Sequence, residues 1–221
     1  MRTLPISSAP HAVRASLSPS RMVAVCGGQA WSLGVRLAAQ MACEYKQSLY
    51  LCGDNRFDPY VVARFARSQQ KSPEEALGRV LVARAFTAYQ LDELIHRLNP
   101  PKSLEDAYGV VIVSGFCAAF LDEDVADSDA TRLFYRSLWR LRDLAQEGLT
   151  LLLTESETPK QRGRAHFLTD LLRASSEAFR LEGERSFTLE RRRGRSPIAG
   201  GPASFVKNST SDGDSLTSAP R

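Results

Sequence analysis

Five short apolar runs, each released into a segment of helical spacing, set the tightest limit on how this chain can fold. Met22–Cys26 (MVAVC), Ser48–Cys52 (SLYLC), Arg79–Ala83 (RVLVA), Gly109–Val113 (GVVIV) and Leu149–Thr154 (LTLLLT) have the length and aliphatic content of buried strands. Leu33–Tyr45 places Leu33, Leu37, Ala38 and Met41 on one helical face. Pro59–Ser68 and Ala88–Leu98 read as two more helices, the latter halted by Asn99-Pro100-Pro101. Asp129–Gln146 is the longest, with Leu133, Leu138, Leu141, Leu144 and Ala145 inward, Asp129 as N-cap and Gly148 as the stop. Strands separated by such helices pair in parallel through right-handed crossovers, and the unbroken apolarity of GVVIV suits a strand covered on both faces. Ala178–Leu181 and Ser186–Glu190, around Glu182-Gly183-Glu184, predict a closing hairpin. The expected fold class is α/β: a three-layer sandwich with a mostly parallel central sheet and a C-terminal β-hairpin.

At 221 residues and 43% apolar content the chain can bury one domain core, and no window approaches 18 uninterrupted apolar residues. The expected organisation is a domain over 22–195 between disordered tails over 1–21 and 196–221, both rich in small and polar residues with proline. Residues 1–21 lack the continuous apolar region of a secretory signal, so a cytoplasmic chain is expected; an acid-free, Arg- and Ser-containing leader leaves an organelle transit peptide as the alternative. The net charge of +4 is uneven. Residues 1–21 carry +3 and 191–221 carry +4, which leaves −3 on the body between them, so a basic ligand-binding face does not follow from the total. Cys26, Cys43, Cys52 and Cys117 sit in apolar surroundings without Cys-x-x-Cys spacing, and His11, His96 and His166 are far apart. Reduced buried thiols and no metal site are the simplest reading.

Ligands of such sheets bind beyond the strand carboxyl ends. The first loop there reads Gly27, Gly28, Gln29, Ala30, Trp31, Ser32, Leu33, Gly34. A working phosphate loop, G-x-x-x-x-G-K-[ST], needs a lysine for the β/γ oxygens and a hydroxyl for Mg²⁺. Aligned on Gly27, those requirements fall on Leu33 and Gly34, and Ser32 stands where the second glycine belongs. Trp31 fills space that small residues usually leave open. Backbone amides at the helix start can still attract an anion, and the plain alternative is a strand–helix turn that binds nothing.

Several segments, in order, resemble the RecA-like strand-exchange recombinases and their paralogues over residues 22–190. Asp54-Asn55-Arg56-Phe57-Asp58-Pro59 is similar to the family's acidic E-G-x-F-x-P segment; Val82-Ala83-Arg84-Ala85-Phe86 with Tyr89-Gln90-Leu91 is close to the segment after its third strand. Tyr108-Gly109-Val110-Val111-Ile112-Val113-Ser114 resembles the Walker B strand, and Leu151-Leu152-Leu153-Thr154-Glu155-Ser156 the final core strand. The resemblance implies a RecA-like P-loop fold. It places Asp54 at the catalytic glutamate as the one retained acidic candidate, Ser114 where an aspartate orders Mg²⁺, and Glu155 where a neutral sensor meets the γ-phosphate. On that reading Ser114 and Glu155 face the degenerate loop 27–34, no catalytic residue or cofactor is expected, and ATP remains only an alternative ligand.

The resemblance also implies DNA-facing loops after the fourth and fifth strands. The first, Phe116–Asp129, is acidic and repels phosphate; the second carries Lys160, Arg162 and Arg164 beside Glu155 and Glu157. Arg191, Arg192, Arg193 and Arg195 offer salt-sensitive, sequence-independent contact with nucleic acid, or only a solubilising tail. Asp122-Glu123-Asp124 with Asp127 and Asp129 matches no EF-hand spacing and suits a solvated loop before a helix. The expected function is that of a non-catalytic RecA-like accessory protein (a pseudo-ATPase) in DNA recombination or repair. Its expected partners are proteins, another RecA-like subunit among them, with weak nonspecific DNA contact and no membrane. The alternative is a regulatory module that binds a nucleotide or other anion without hydrolysis. An unrelated enzyme using Asp54 and Arg84 finds no nucleophile–base pair to support it.

Overall fold

The computed structural model describes residues 2–5, 8–100, 108–156, 164–182 and 186–191, the first and last of these segments as backbone only. The five sequence-predicted strands appear as β2 (Met22–Cys26), β3 (Ser48–Cys52), β4 (Val80–Arg84), β5 (Val110–Ser114) and β6 (Leu151–Glu155). With β7 (Glu177–Glu182) they form six parallel strands in the order β7-β2-β6-β5-β3-β4. The antiparallel hairpin of β7 with β8 (Ser186–Arg191) continues the sheet, and β1 (Arg2–Pro5) closes that side against β8. Apolar residues of the central strands alternate between two cores, as strands covered on both faces require.

One core lies under α1 (Ala9–Ser16), α2 (Ala30–Cys43), α3 (Pro59–Ser68) and α4 (Pro73–Gly78). The other lies under α5 (Ala88–His96), α6 (Phe116–Ala119), α7 (Asp127–Gln146) and α8 (His166–Ala174). The result is a three-layer α/β sandwich. On the second face Phe134 stacks on Phe167 with ring centroids 4.1 Å apart and touches Phe116 and Phe120. Buried Asp92 of α5 is held by Arg136 and by the Ser137 hydroxyl at 2.8 Å, which locks α5 to α7.

Residues 1–21 are not a tail throughout. Ala9, Val13 and Leu17, at helical spacing, bury themselves against the first core, and Ser16 and Arg21 both bond Glu177 of β7. Pro10 sits where a helix start tolerates it. A second difference concerns the long helix: it begins at Asp127, so Asp129 lies in its first turn and bonds Arg132 and Tyr89 instead of capping. The tail expected over 196–221 and the hairpin turn at 183–185 lie outside the described residues.

Register aligns the carboxyl ends that position the site. Cys26 stands opposite Glu155, Thr154 opposite Ser114, Ser114 opposite Cys52, and Cys52 opposite Arg84. No helix among the described residues is long and apolar enough to cross a membrane.

Candidate functional site at the strand carboxyl ends

The loop after β2 is shorter than a phosphate-binding reading needs. Helix α2 begins at Ala30, so only Gly27, Gly28 and Gln29 separate it from β2. Gly27 takes φ of 124°, and its amide donates to the Glu155 carbonyl at 2.9 Å. A Cβ there would stand 2.5 Å from the Leu181 carbonyl oxygen, so the tight turn is reserved for glycine. The Ala30 amide returns to the Gly27 carbonyl at 2.9 Å and the Leu33 amide to Gln29 at 3.1 Å. Residues 30–34, expected to cradle phosphate, are therefore the first turn of a helix. Ala30, Leu33 and Gly34 are buried, and Trp31 packs half-buried on the core.

Gly34 explains how closely that helix settles. A Cβ on it would lie 3.2 Å from Thr154 Cγ2 and 3.5 Å from Ile112 Cγ2. Helix α2 thus rests on β5 and β6 where a hydroxyl-bearing residue would hold it away. Beneath it, the Thr154 hydroxyl is buried without a hydrogen-bond partner among the described residues. Sequence reasoning gave Tyr50 no role, although it is a polar tip inside the aliphatic run SLYLC.

Asp54, the acidic candidate, is occupied. Its carboxylate accepts from the Ser114 hydroxyl at 2.9 Å and from the Arg56 amide at 3.2 Å, with the Cys52 thiol 3.6 Å away. Ser114 is fully buried and spends its hydroxyl on Asp54. Burial, helped by the Asp54 carboxylate, pushes the Cys52 thiol up, so it stays protonated and poorly nucleophilic. Arg84 bonds Asn55, not Asp54.

Glu155 departs from its expected orientation. It is 3% exposed and its carboxylate accepts the Cys117 and Ala118 amides at 2.8 and 3.2 Å, at the start of α6 on the far face of the sheet. It does not face the turn at 27–34. Gly115, left-handed at φ 66°, swings the chain from β5 into that helix and brings the two amides onto Glu155. Burial, helped by the nearby Asp54 charge, lifts the Glu155 carboxyl to about 7 against the pull of the two amides.

Of the basic residues expected to meet nucleic acid, Arg164 is instead buried. Its guanidinium bonds Asp127 and the carbonyls of Phe120, Asp122 and Val125, which fastens the acidic loop before α7. An arginine saturated in this way has no donor to spare for phosphate. Lys160, Arg162, Arg192, Arg193 and Arg195, and the side chain of Arg191, lie outside the described residues.

Beside the closed turn, a cleft of about 290 Å³ is lined by Ala9, Pro10, Gln29, Ser32, Leu33, Arg36 and Leu181. Helix α2 starts there without a side-chain cap or an acid in its first turn. Among the described residues no group of three His, Cys, Asp or Glu could hold a metal ion.

The fold and site together define a three-layer α/β domain whose strand carboxyl ends are filled by its own side chains. Compared with known proteins, the chain matches no family model and no curated protein.

Proposed function

We propose that the chain is a non-catalytic RecA-like accessory protein that works through protein contacts in DNA recombination or repair. The observation that carries the non-catalytic half is the start of α2 at Ala30, which leaves no loop to wrap phosphates. Phosphoryl transfer rests on positioning and charge neutralisation, and this turn supplies neither a lysine nor a metal-binding hydroxyl. Contact with a partner is supported by the exposed apolar side chains Leu81 and Val82 of β4 and Phe86 just after it. The pathway rests on the resemblance of the Asp54–Pro59, Val82–Leu91 and Tyr108–Ser114 segments to recombinases. Two measurements test the reading: ATP turnover with and without single-stranded DNA, and capture of partners from native lysate before and after nuclease treatment. Background turnover and nuclease-resistant recovery of a recombinase or repair polymerase are expected. Robust hydrolysis abolished by Asp54→Ala would sink it.

A second reading, a regulatory module holding an anion without hydrolysis, is favoured by Arg36, an exposed cation in the 290 Å³ cleft at the α2 start. A specific nucleotide or phosphate would raise the melting temperature in a Mg²⁺-free thermal-shift panel, and Arg36→Ala would remove that rise. No shift with any ligand rejects this reading.

A further inference from the structure

Strand β4 ends the parallel sheet, and its hydrogen bonds show which of its groups are spare. The Ser48 amide donates to the Arg79 carbonyl and the Ala85 amide to the Cys52 carbonyl, both at 2.9 Å. Residues of that parity, Arg79, Leu81, Ala83 and Ala85, therefore address β3. Val80, Val82 and Arg84 turn their amides and carbonyls outward, where β4 has no second neighbour among the described residues. An edge of this kind is a template for another strand. Natural edges are usually blunted with lysine, proline or a bulge, whereas β4 is regular and leaves Leu81 and Val82 42% and 38% exposed.

We propose that this edge pairs with β4 of a second copy, antiparallel, about a two-fold axis through Val82. The outward-facing set is its own complement. With Val82 opposite Val82, Val80 falls opposite Arg84 and Arg84 opposite Val80, so every spare amide and carbonyl on one strand meets a spare group on the other. On the α5 face the same register sets Leu81 against Ala83 of the second copy, a large side chain against a small one. No arginine lies directly across from another, since Arg79 falls opposite Ala85. A one-residue slip would bring groups already bonded to β3 against the spare ones. The pairing would join two sheets into one and cover the aliphatic pair at the edge. It goes beyond the proposed function and holds whether or not the chain serves in recombination.

Sedimentation equilibrium of the full chain tests it. A dimer is expected as concentration is raised to about 100 µM. Val82→Lys sets two lysines across the axis with their Cα atoms about 5.5 Å apart and is expected to raise Kd about tenfold, with the far-ultraviolet circular dichroism unchanged. Val82→Glu alone is expected to do the same. Mixing Val82→Lys with Val82→Glu restores a dimer, because only a two-fold axis brings residue 82 against itself. A monomer at every concentration overturns the proposal, whether the edge takes another part of the chain or an unrelated peptide. So does a dimer indifferent to both variants. ATP turnover plays no part in this readout, so its outcome and that of the pathway reading separate cleanly.

Discussion

The strand carboxyl ends and the β4 edge belong to one sheet and have opposite fates. At the ends of β5 and β6 the side chains of the candidate site bond within the protein, Ser114 to Asp54 and Glu155 to the α6 amides, while Gly34 lets α2 settle onto Thr154. At β4 a row of backbone groups and two aliphatic side chains is left outward. Filling a crevice with the protein's own hydrogen bonds removes the room a ligand needs. Leaving an edge bare keeps a row of backbone groups that a further strand can pair with.

The comparison breaks most readily at Gly27. Gly27→Ala adds a Cβ 2.5 Å from the Leu181 carbonyl at a φ of 124°. Backbone strain and overpacking together should destabilise by on the order of 3–5 kcal/mol, read as a drop in the urea midpoint. Next comes Glu155, whose folded carboxyl sits at about 7 against an ordinary 4.5. The folded protein then holds a proton that the unfolded chain releases earlier. The associated stability is whole below pH 4.5 and is lost as pH rises through 7, for about 3 kcal/mol by pH 8. Glu155→Gln should flatten that slope in denaturation curves between pH 5 and 8; an unchanged slope would assign the titration elsewhere. Restoring the missing hydroxyl with Gly34→Thr should cost about 1–3 kcal/mol, because the added methyl and hydroxyl crowd Thr154 and Ile112, and should not create hydrolysis. At the other extreme, Tyr60→Ser and Phe86→Ser, at side chains 72% and 69% exposed, should move stability by no more than about 0.5 kcal/mol. A large loss at either would mean that the edge region is already packed.

Strands β2, β3, β5 and β6 could be read from the chain because a parallel strand covered on both faces is a nearly unbroken apolar run, and β4 from its aliphatic content alone. The start of α2 could not. Ala30-Trp31-Ser32 carries no capping signal, and the glycines before it suggested a longer loop than the turn onto Leu181 permits. Helix α1 hid behind a Ser/Pro-rich composition, and its Ala9, Val13, Leu17 spacing was the clue. That no lysine or hydroxyl stands at positions 33 and 34 was legible directly from Leu33 and Gly34. Glu155's destination was not, since it depends on a left-handed turn at Gly115 in another loop. Arg164 looked like a surface charge because nothing local reveals that three carbonyls and Asp127 will converge on it.

The strand order also bears on how the chain is made. Strands β3, β4 and β5 find one another within residues 48–114. Strand β2 has only β6 and β7 as neighbours, and β6 begins about 125 residues after Cys26. At roughly 5–20 residues per second, a ribosome leaves MVAVC without a pairing strand for roughly 6–25 s. During that interval the strand that later lies inside the sheet waits for the second half of the chain to supply its neighbours.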